Sequence, residues 1–408
     1  MKTIVFLMGY YLPQCNANLN CCLNVIRELQ GRNYKIVVIC GTEDYESADV
    51  INDVLVYRVR RKGFAGILSK TKVSVFRVFL KLARFFRNLI CLPFYPNTES
   101  AFTTRLYRKC CTILETHNVS CIVGTVYPTA SVCVLKRLAN NKKFHSIPRV
   151  GYYLDMLHAN SKSHILPFLS YDWLCRKGDC SVFSRLDSII LPEGGESYYQ
   201  QGFFDAFRSK MSFVNFPVFS LSDDMSERNN STTTFVYAGY SNTKDRDVGV
   251  LLECLNYLEL YDYRFDTYGL TEDESAIRAY EKHNSGRFHY HGLVEKKLAD
   301  EALKNADFVI AFGNDSHGVI PSKIFELFGL KKRLIYITRD CKDIALKYVN
   351  QYPDKCILFK TDSINNSARH LFSFLNSPKK EIDNLALLQA YCSATPYHIA
   401  DIIVSSIK

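Results

Sequence analysis

The sequence predicts an α/β protein of two domains, each an open and mostly parallel sheet flanked by helices. Three observations carry that expectation. Short apolar runs alternate with segments whose apolar residues recur at helical spacing, the pattern of buried parallel strands and crossover helices. A polar stretch, Ser220 to Thr234, interrupts this alternation, which then restarts. The length of 408 residues suits two or three domains of ordinary size.

The elements follow in order. Thr3 to Met8 is a continuous apolar run, expected as a strand buried on both faces. After a loop, Gly9 to Asn18, the residues Leu19, Leu23, Ile26 and Leu29 mark a helix ending near Gly31. Lys35 to Cys40 reads as a second strand, completing a βαβ unit. Val119 to Val126, Arg149 to Leu154 and Ser188 to Leu191 read as further strands, and Thr129 to Leu138 as a helix. Beyond the polar stretch, strands are expected at 234–237, 264–268, 288–290, 308–312, 333–337 and 357–359. Helices are expected at 248–258, 272–283, 298–306 and 323–328, then at 363–375 and along Ile382 to Ile407.

Composition narrows the class. Apolar residues make up 47% and charged residues 23%, which excludes a disordered or fibrous chain. The 15 cysteines are odd in number and lack a disulfide-framework spacing, which fits a reducing cytoplasm. The apolar run Ile4 to Leu7 is too short for a secretory leader, and Pro13-Gln14-Cys15-Asn16 offers no cleavage site. The net charge is +10, and the window Val54 to Thr98 holds the whole excess: Arg58, Arg60, Arg61, Lys62, Lys70, Lys72, Arg77, Lys81, Arg84 and Arg87, with no acid. An anionic partner is expected for that segment.

The segment Arg287 to Ile337 is the densest in chemistry. Ala306-Asp307 lead into a buried strand that ends in Gly313-Asn314-Asp315-Ser316-His317-Gly318, and Pro321 is placed to start a helix. The N–H groups of Ser322 and Lys323, with the Lys323 ammonium, would face an anion, and Glu326 would accept hydroxyls one turn later. That suits a nucleotide with its ribose. The same residues also suit an ordinary loop and a solvated helix start.

This segment resembles the C-terminal domain of GT-B glycosyltransferases of the family 4 (group 1) type. The likeness rests on Ala306-Asp307, Pro321-Ser322-Lys323, Phe325-Glu326 and Gly329-Leu330-Lys331-Lys332 in that order. Phe235 to Gly239, Tyr268-Gly269, His291-Gly292, residues 1–40 and Arg185 to Ile190 extend it. The resemblance implies two Rossmann-like domains facing across a cleft: 1–218 for the acceptor, 219–380 for the donor, and a C-terminal helix, 381–408, packing back toward the first domain. It implies transfer of a sugar from a UDP- or GDP-sugar to a lipid-linked or polysaccharide acceptor, with retention, in surface polysaccharide or glycoconjugate biosynthesis. No cofactor and no metal are expected. Glu326 would bind the ribose, Ser322 and Lys323 the diphosphate, and Gly239 would let backbone approach the donor. Lys244 and Arg246 would neutralise the leaving group, Arg246 being preferred for its planar fork. The usual acid eight residues before Glu326 is replaced by Gly318, with Asn314, Asp315, Ser316 and His317 as nearby substitutes.

In the first half, Asp155 and His158 follow a strand end, where Asp155 would orient an acceptor hydroxyl or take its proton and His158 would contact donor or acceptor. The loop Gly9-Tyr10-Tyr11 resembles the acceptor-side loop. Lys70, Arg77, Lys81 and Arg84 recur at helical spacing opposite Phe76, Phe79 and Phe86, a basic amphipathic helix. A membrane-facing segment, 57–95, is therefore expected, with Arg77, Lys81, Arg84 and Arg87 as its patch on an anionic cytoplasmic surface. Nucleic acid is not expected as a partner. Two other readings stay open: a sugar-nucleotide epimerase of the same fold, and a non-catalytic membrane-associated homologue.

Overall fold

The computed structural model describes residues 2–13, 16–61, 86, 94–126, 128–156, 171–222, 232–260, 262–314 and 320–407. The chain divides into two compact units, Met1–Pro217 with Pro396–Lys408, and Val218–Thr395.

Unit 1 contains β1 (Thr3–Met8), α1 (Ala17–Gly31), β2 (Lys35–Thr42), β3 (Ser47–Ile51), β4 (Val54–Arg60), α2 (Ser100–Thr116) and β5 (Val119–Val126). It continues with α3 (Thr129–Ala139), β6 (Arg149–Tyr153), α4 (Tyr171–Phe183), β7 (Ser188–Pro192) and β8 (Met211–Val214). The sheet order is β3-β4-β2-β1-β5-β6-β7-β8, and only β3 runs antiparallel to its neighbour. Every residue of β1 is buried, which is why it reads as an uninterrupted apolar run. Asn16 starts α1 by accepting the Leu19 N–H at 2.8 Å. The strand order reverses between β1 and β5, and ligands of such sheets gather at the strand carboxyl ends there.

The β3–β4 hairpin takes up the start of the segment expected from residue 57 to face a membrane. Asn52 and Asp53 turn it with φ of 50° and 60°, as a tight two-residue hairpin turn requires. Residues 57–60 are therefore strand. Arg58 pairs with Asp49 and donates to the Leu12 carbonyl at 2.7 Å. Arg61 grips Glu99. These two cations are already neutralised. Arg77, Lys81, Arg84 and Arg87 lie outside the described residues. Among the described residues no helix is long and apolar enough to cross a membrane.

Unit 2 contains β9 (Thr233–Ala238), α5 (Gly249–Tyr257), β10 (Tyr263–Tyr268), α6 (Glu274–His283), β11 (Phe288–Tyr290), α7 (Lys296–Asn305) and β12 (Phe308–Phe312). It continues with α8 (Lys323–Gly329), β13 (Arg333–Thr338), β14 (Lys355–Phe359), α9 (Ile364–Leu375) and α10 (Asn384–Ala390). Its sheet order is β11-β10-β9-β12-β13-β14, all parallel, with the reversal between β9 and β12. Successive residues of β9 serve opposite faces: Val236 and Ala238 join one apolar core, Phe235 and Tyr237 the other. At the β11 edge, Asp266 accepts from Arg264 at 2.7 Å and shares a 2.6 Å hydrogen bond with His291. Burial raises the Asp266 pKa, but these partners outweigh it and hold it below the usual carboxylate value.

The helical pattern Ile382 to Ile407 is not one helix. Its first stretch ends at Ala390, a single 3-10 turn spans Cys392–Ala394, and a new helix starts at Pro396, a position suited to proline. Its first part, α10, belongs to unit 2, capped by Asp383. Its second part, α11 (Pro396–Ser405), packs on α1 in unit 1, with Arg32 paired to Asp401 and stacked 4.2 Å over Tyr397.

Candidate active site

Each unit offers a site at the carboxyl ends of its central strands. In unit 2 the loop after β9 is built by a hydrogen-bonded turn. The Asn242 side-chain oxygen accepts the N–H groups of Lys244, Asp245 and Arg246 at 3.0, 2.6 and 3.3 Å. Lys360, just past β14, donates to the carbonyls of Lys244 and Asp245. This turn aims Arg246 across the strand reversal, where its guanidinium donates to the Asn314 side chain at 2.8 Å, just past β12. The Tyr237 hydroxyl lies beside the same guanidinium; burial pushes its pKa up to about 12, with Arg246 opposing the shift.

Three glycines let the loops after β9, β10 and β11 close on one another. Gly239 N–H donates to the Tyr268 carbonyl at 2.8 Å, and Gly269 N–H to the Gly292 carbonyl at 2.8 Å. Gly269 has φ +126°, and a side chain there would overlap the Gly239 carbonyl. A Cβ on Gly239 itself would meet the Tyr237 hydroxyl at 2.8 Å. What Gly239 accommodates in the structure is therefore this tyrosine and the neighbouring loop.

At α8 the helix begins with Lys323, where the sequence pattern predicts it. Ser322 is its N-cap, and the Ser322 side chain does not cap it. Lys323 and Glu326, expected to serve phosphate and ribose separately, are paired to each other at 2.7 Å. Both are partly exposed, so the pair is weak and exchangeable for a ligand, roughly 0–1 kcal/mol. Gly313 is required where it stands, because a side chain would overlap the buried carboxylate of Asp343 and the Thr338 hydroxyl. The Lys244 side chain is exposed and is not brought to the Arg246–Asn314 pair by any described contact. Ser316, His317 and Gly318 lie outside the described residues.

The triplet Asp245-Arg246-Asp247 has a spacing that can hold a divalent cation. Asp247 instead accepts the Gly249 N–H at 2.8 Å, and burial raises its pKa. Among the described residues no group of three or more metal-ligating side chains forms.

In unit 1 a cavity of about 440 Å³ opens where β1, β5 and β6 end. Gly9, Tyr10, Asn18, Arg61, Glu99 and Leu154 are among its lining. Asp155 sits beside it, and the Asn18 amide nitrogen donates to its carboxylate at 2.9 Å. Arg61 meets Glu99 fork to fork at 2.8 and 2.5 Å, with its guanidinium over the rings of Tyr10 and Phe102. Tyr11, expected on the acceptor side with Tyr10, is 3% exposed and points into the core, where burial pushes its pKa up to about 12. Tyr10, and not Tyr11, is among the residues that line the cavity. His158 lies outside the described residues. Sequence reasoning missed Asn18 and the Arg61–Glu99 pair. The signal available was Glu99 itself, the first acid after the basic window.

No protein-family model and no curated protein matches the sequence. Solved structures do match along the whole chain. The lipopolysaccharide outer core galactosyltransferase WaaB aligns at TM-score 0.57 and 11% identity, over 99% of both chains. Sucrose-phosphate synthase from Thermosynechococcus elongatus aligns at 0.59 and 10%, over 100% of this chain and 95% of that one. Anabaena Alr3699/HepE, in complex with UDP and glucose, aligns at 0.52 and 11%, over 100% and 97%.

Proposed function

From the premise of a two-domain GT-B glycosyltransferase fold, we propose that this chain transfers a sugar from a nucleotide-diphosphate sugar to a glycan or lipid-linked acceptor. The donor is a UDP- or GDP-sugar, the configuration is retained, and the product belongs to surface polysaccharide or glycoconjugate synthesis. The observation that carries this reading is the Arg246–Asn314 pair at the strand reversal of unit 2, close in structure and 68 residues apart in sequence. It is supported by the presence of UDP in the HepE structure.

In this reading the chemistry is mainly electrostatic. As the bond from sugar to diphosphate breaks, negative charge grows on the leaving oxygen. Arg246 and Lys323 stabilise that charge more in the transition state than in the bound donor. Lys323 leaves Glu326 for the phosphate, and Glu326 turns its carboxylate to the ribose hydroxyls. In unit 1, Asp155 orients the acceptor hydroxyl and takes its proton, held for that task by Asn18. Asn314 keeps the Arg246 fork in place.

The test is transfer by single variants. Glu326→Ala should raise KM for the donor at least tenfold, by loss of ground-state binding. Lys323→Ala should lower kcat at least tenfold. Unchanged kinetics in both would sink the assignment of α8 to the donor.

The acceptor reading includes docking on an anionic membrane surface through Arg77, Lys81, Arg84 and Arg87. It rests on the segregated charge of the sequence beyond Arg61. Co-sedimentation with vesicles containing anionic lipid should fall with salt and be lost when these four are changed to Gln. Sedimentation that survives the fourfold change refutes this part.

A further inference from the structure

The unit 1 cavity has a charge balance that selects among acceptors. Its lining, among the described residues, holds one cation and one anion, Arg61 and Glu99, and they are spent on each other. Along β4, Arg58 is held by Asp49 and the Leu12 carbonyl, and Arg60 is exposed and does not line the cavity. The carboxylate of Asp155 stands beside the cavity and, among the described residues, accepts from the neutral amide of Asn18. Among the described residues, a phosphate or carboxylate entering here would meet two carboxylates and no lining cation other than the paired Arg61, with repulsion strengthened by partial burial. An acyl chain would strip water from Arg61, Glu99, Asn16 and Asn18 and return no hydrogen bond. A neutral polyhydroxylated ring fits both demands. Its hydroxyls donate hydrogen bonds to Glu99 and exchange hydrogen bonds with Asn18, and its C–H faces lie on Tyr10, Leu19 and Leu154. The volume, about 440 Å³, is in the range of small-molecule pockets.

We propose that this cavity binds the acceptor by an uncharged glycosyl end, and discriminates against acceptors phosphorylated on that ring. The assignment of the cavity to the acceptor rests on the transferase reading above; the charge selectivity rests on the Arg61–Glu99 clamp. It gives Glu99 a specificity role, because the carboxylate cancels a cation that would otherwise attract phosphate.

The experiment is ligand-observed NMR on the full chain without any nucleotide. The probes are methyl glycosides of glucose, galactose, mannose and N-acetylglucosamine, each paired with its 6-phosphate. At least one neutral glycoside should bind, and its 6-phosphate should bind at least tenfold more weakly. Tyr10→Ala should abolish the neutral signal. Glu99→Gln should narrow or invert the gap by releasing the Arg61 charge. The proposal is overturned if 6-phosphates bind as tightly as their neutral partners in the unsubstituted chain, if no neutral glycoside binds, or if Tyr10→Ala changes nothing. Because no donor is present, a chain that binds neutral glycosides but turns over no nucleotide sugar refutes the transferase reading and leaves this selectivity standing.

Discussion

Replacing Arg246 by alanine is expected to lower kcat for sugar transfer by about 10²–10³-fold, the usual effect of removing one preorganised donor from a developing oxyanion. The side chain is only partly buried, and its recorded hydrogen bond is to Asn314, so the fold should survive. Its position does not depend on ligand. The Asn242 turn fixes the backbone, Lys360 ties the turn to the end of β14, and Asn314 fixes the guanidinium. Asn314→Ala should therefore lower kcat less than Arg246→Ala, because the cation stays and only its aim is lost. Arg246→Lys should not restore full activity, since an ammonium is a point charge without the planar fork. Steady-state kinetics with a saturating donor reads all three. Equal activity in Arg246→Ala and the unsubstituted chain would remove Arg246 from the chemistry.

Gly269→Ala is expected to give the largest loss of stability, about 2–4 kcal/mol, combining a strained backbone with a steric overlap. The residue has φ +126°, and the added methyl would fall on the Gly239 carbonyl. Relief requires the loops after β9 and β10 to part, which breaks the hydrogen bonds from Gly239 to Tyr268 and from Gly269 to Gly292. Gly286→Ala isolates the two contributions. Gly286 also has positive φ, +77°, but nothing lies within 4 Å of an added Cβ. That variant should lose only the backbone part, about 1–2 kcal/mol. Urea denaturation of the pair measures the difference. Equal losses would show that the close approach of the two loops does not hold in solution.

The parallel strands were legible in the sequence because burial on both faces writes them as unbroken apolar runs. Val119 to Val126 and Phe308 to Phe312 were bounded to the residue. The β3–β4 hairpin was not, because β3 is exposed along most of its length and, at five residues, is too short and too polar to stand out as a buried run. The break between Ala390 and Pro396 is hidden by helical periodicity that continues across it, although proline there marks a new helix start. The site divides in the same way. Glycines at strand ends and the Pro-Ser-Lys segment are local patterns and could be read. The meeting of Arg246 with Asn314, of Asn18 with Asp155 and of Arg61 with Glu99 depends on strand order, which brings together residues 68, 137 and 38 positions apart. The choice between Tyr10 and Tyr11 depended on which of two adjacent rings faced the core.

In the proposed function, unit 2 holds a nucleotide-diphosphate sugar. Calorimetric titration of the unsubstituted chain with UDP, GDP and their sugars tests it most directly. One nucleotide family should bind with a single site per chain, and Arg246→Ala should weaken that binding at least tenfold. Absence of binding by every nucleotide in the set, or tight binding that ignores Arg246, Lys323 and Glu326 alike, would contradict it.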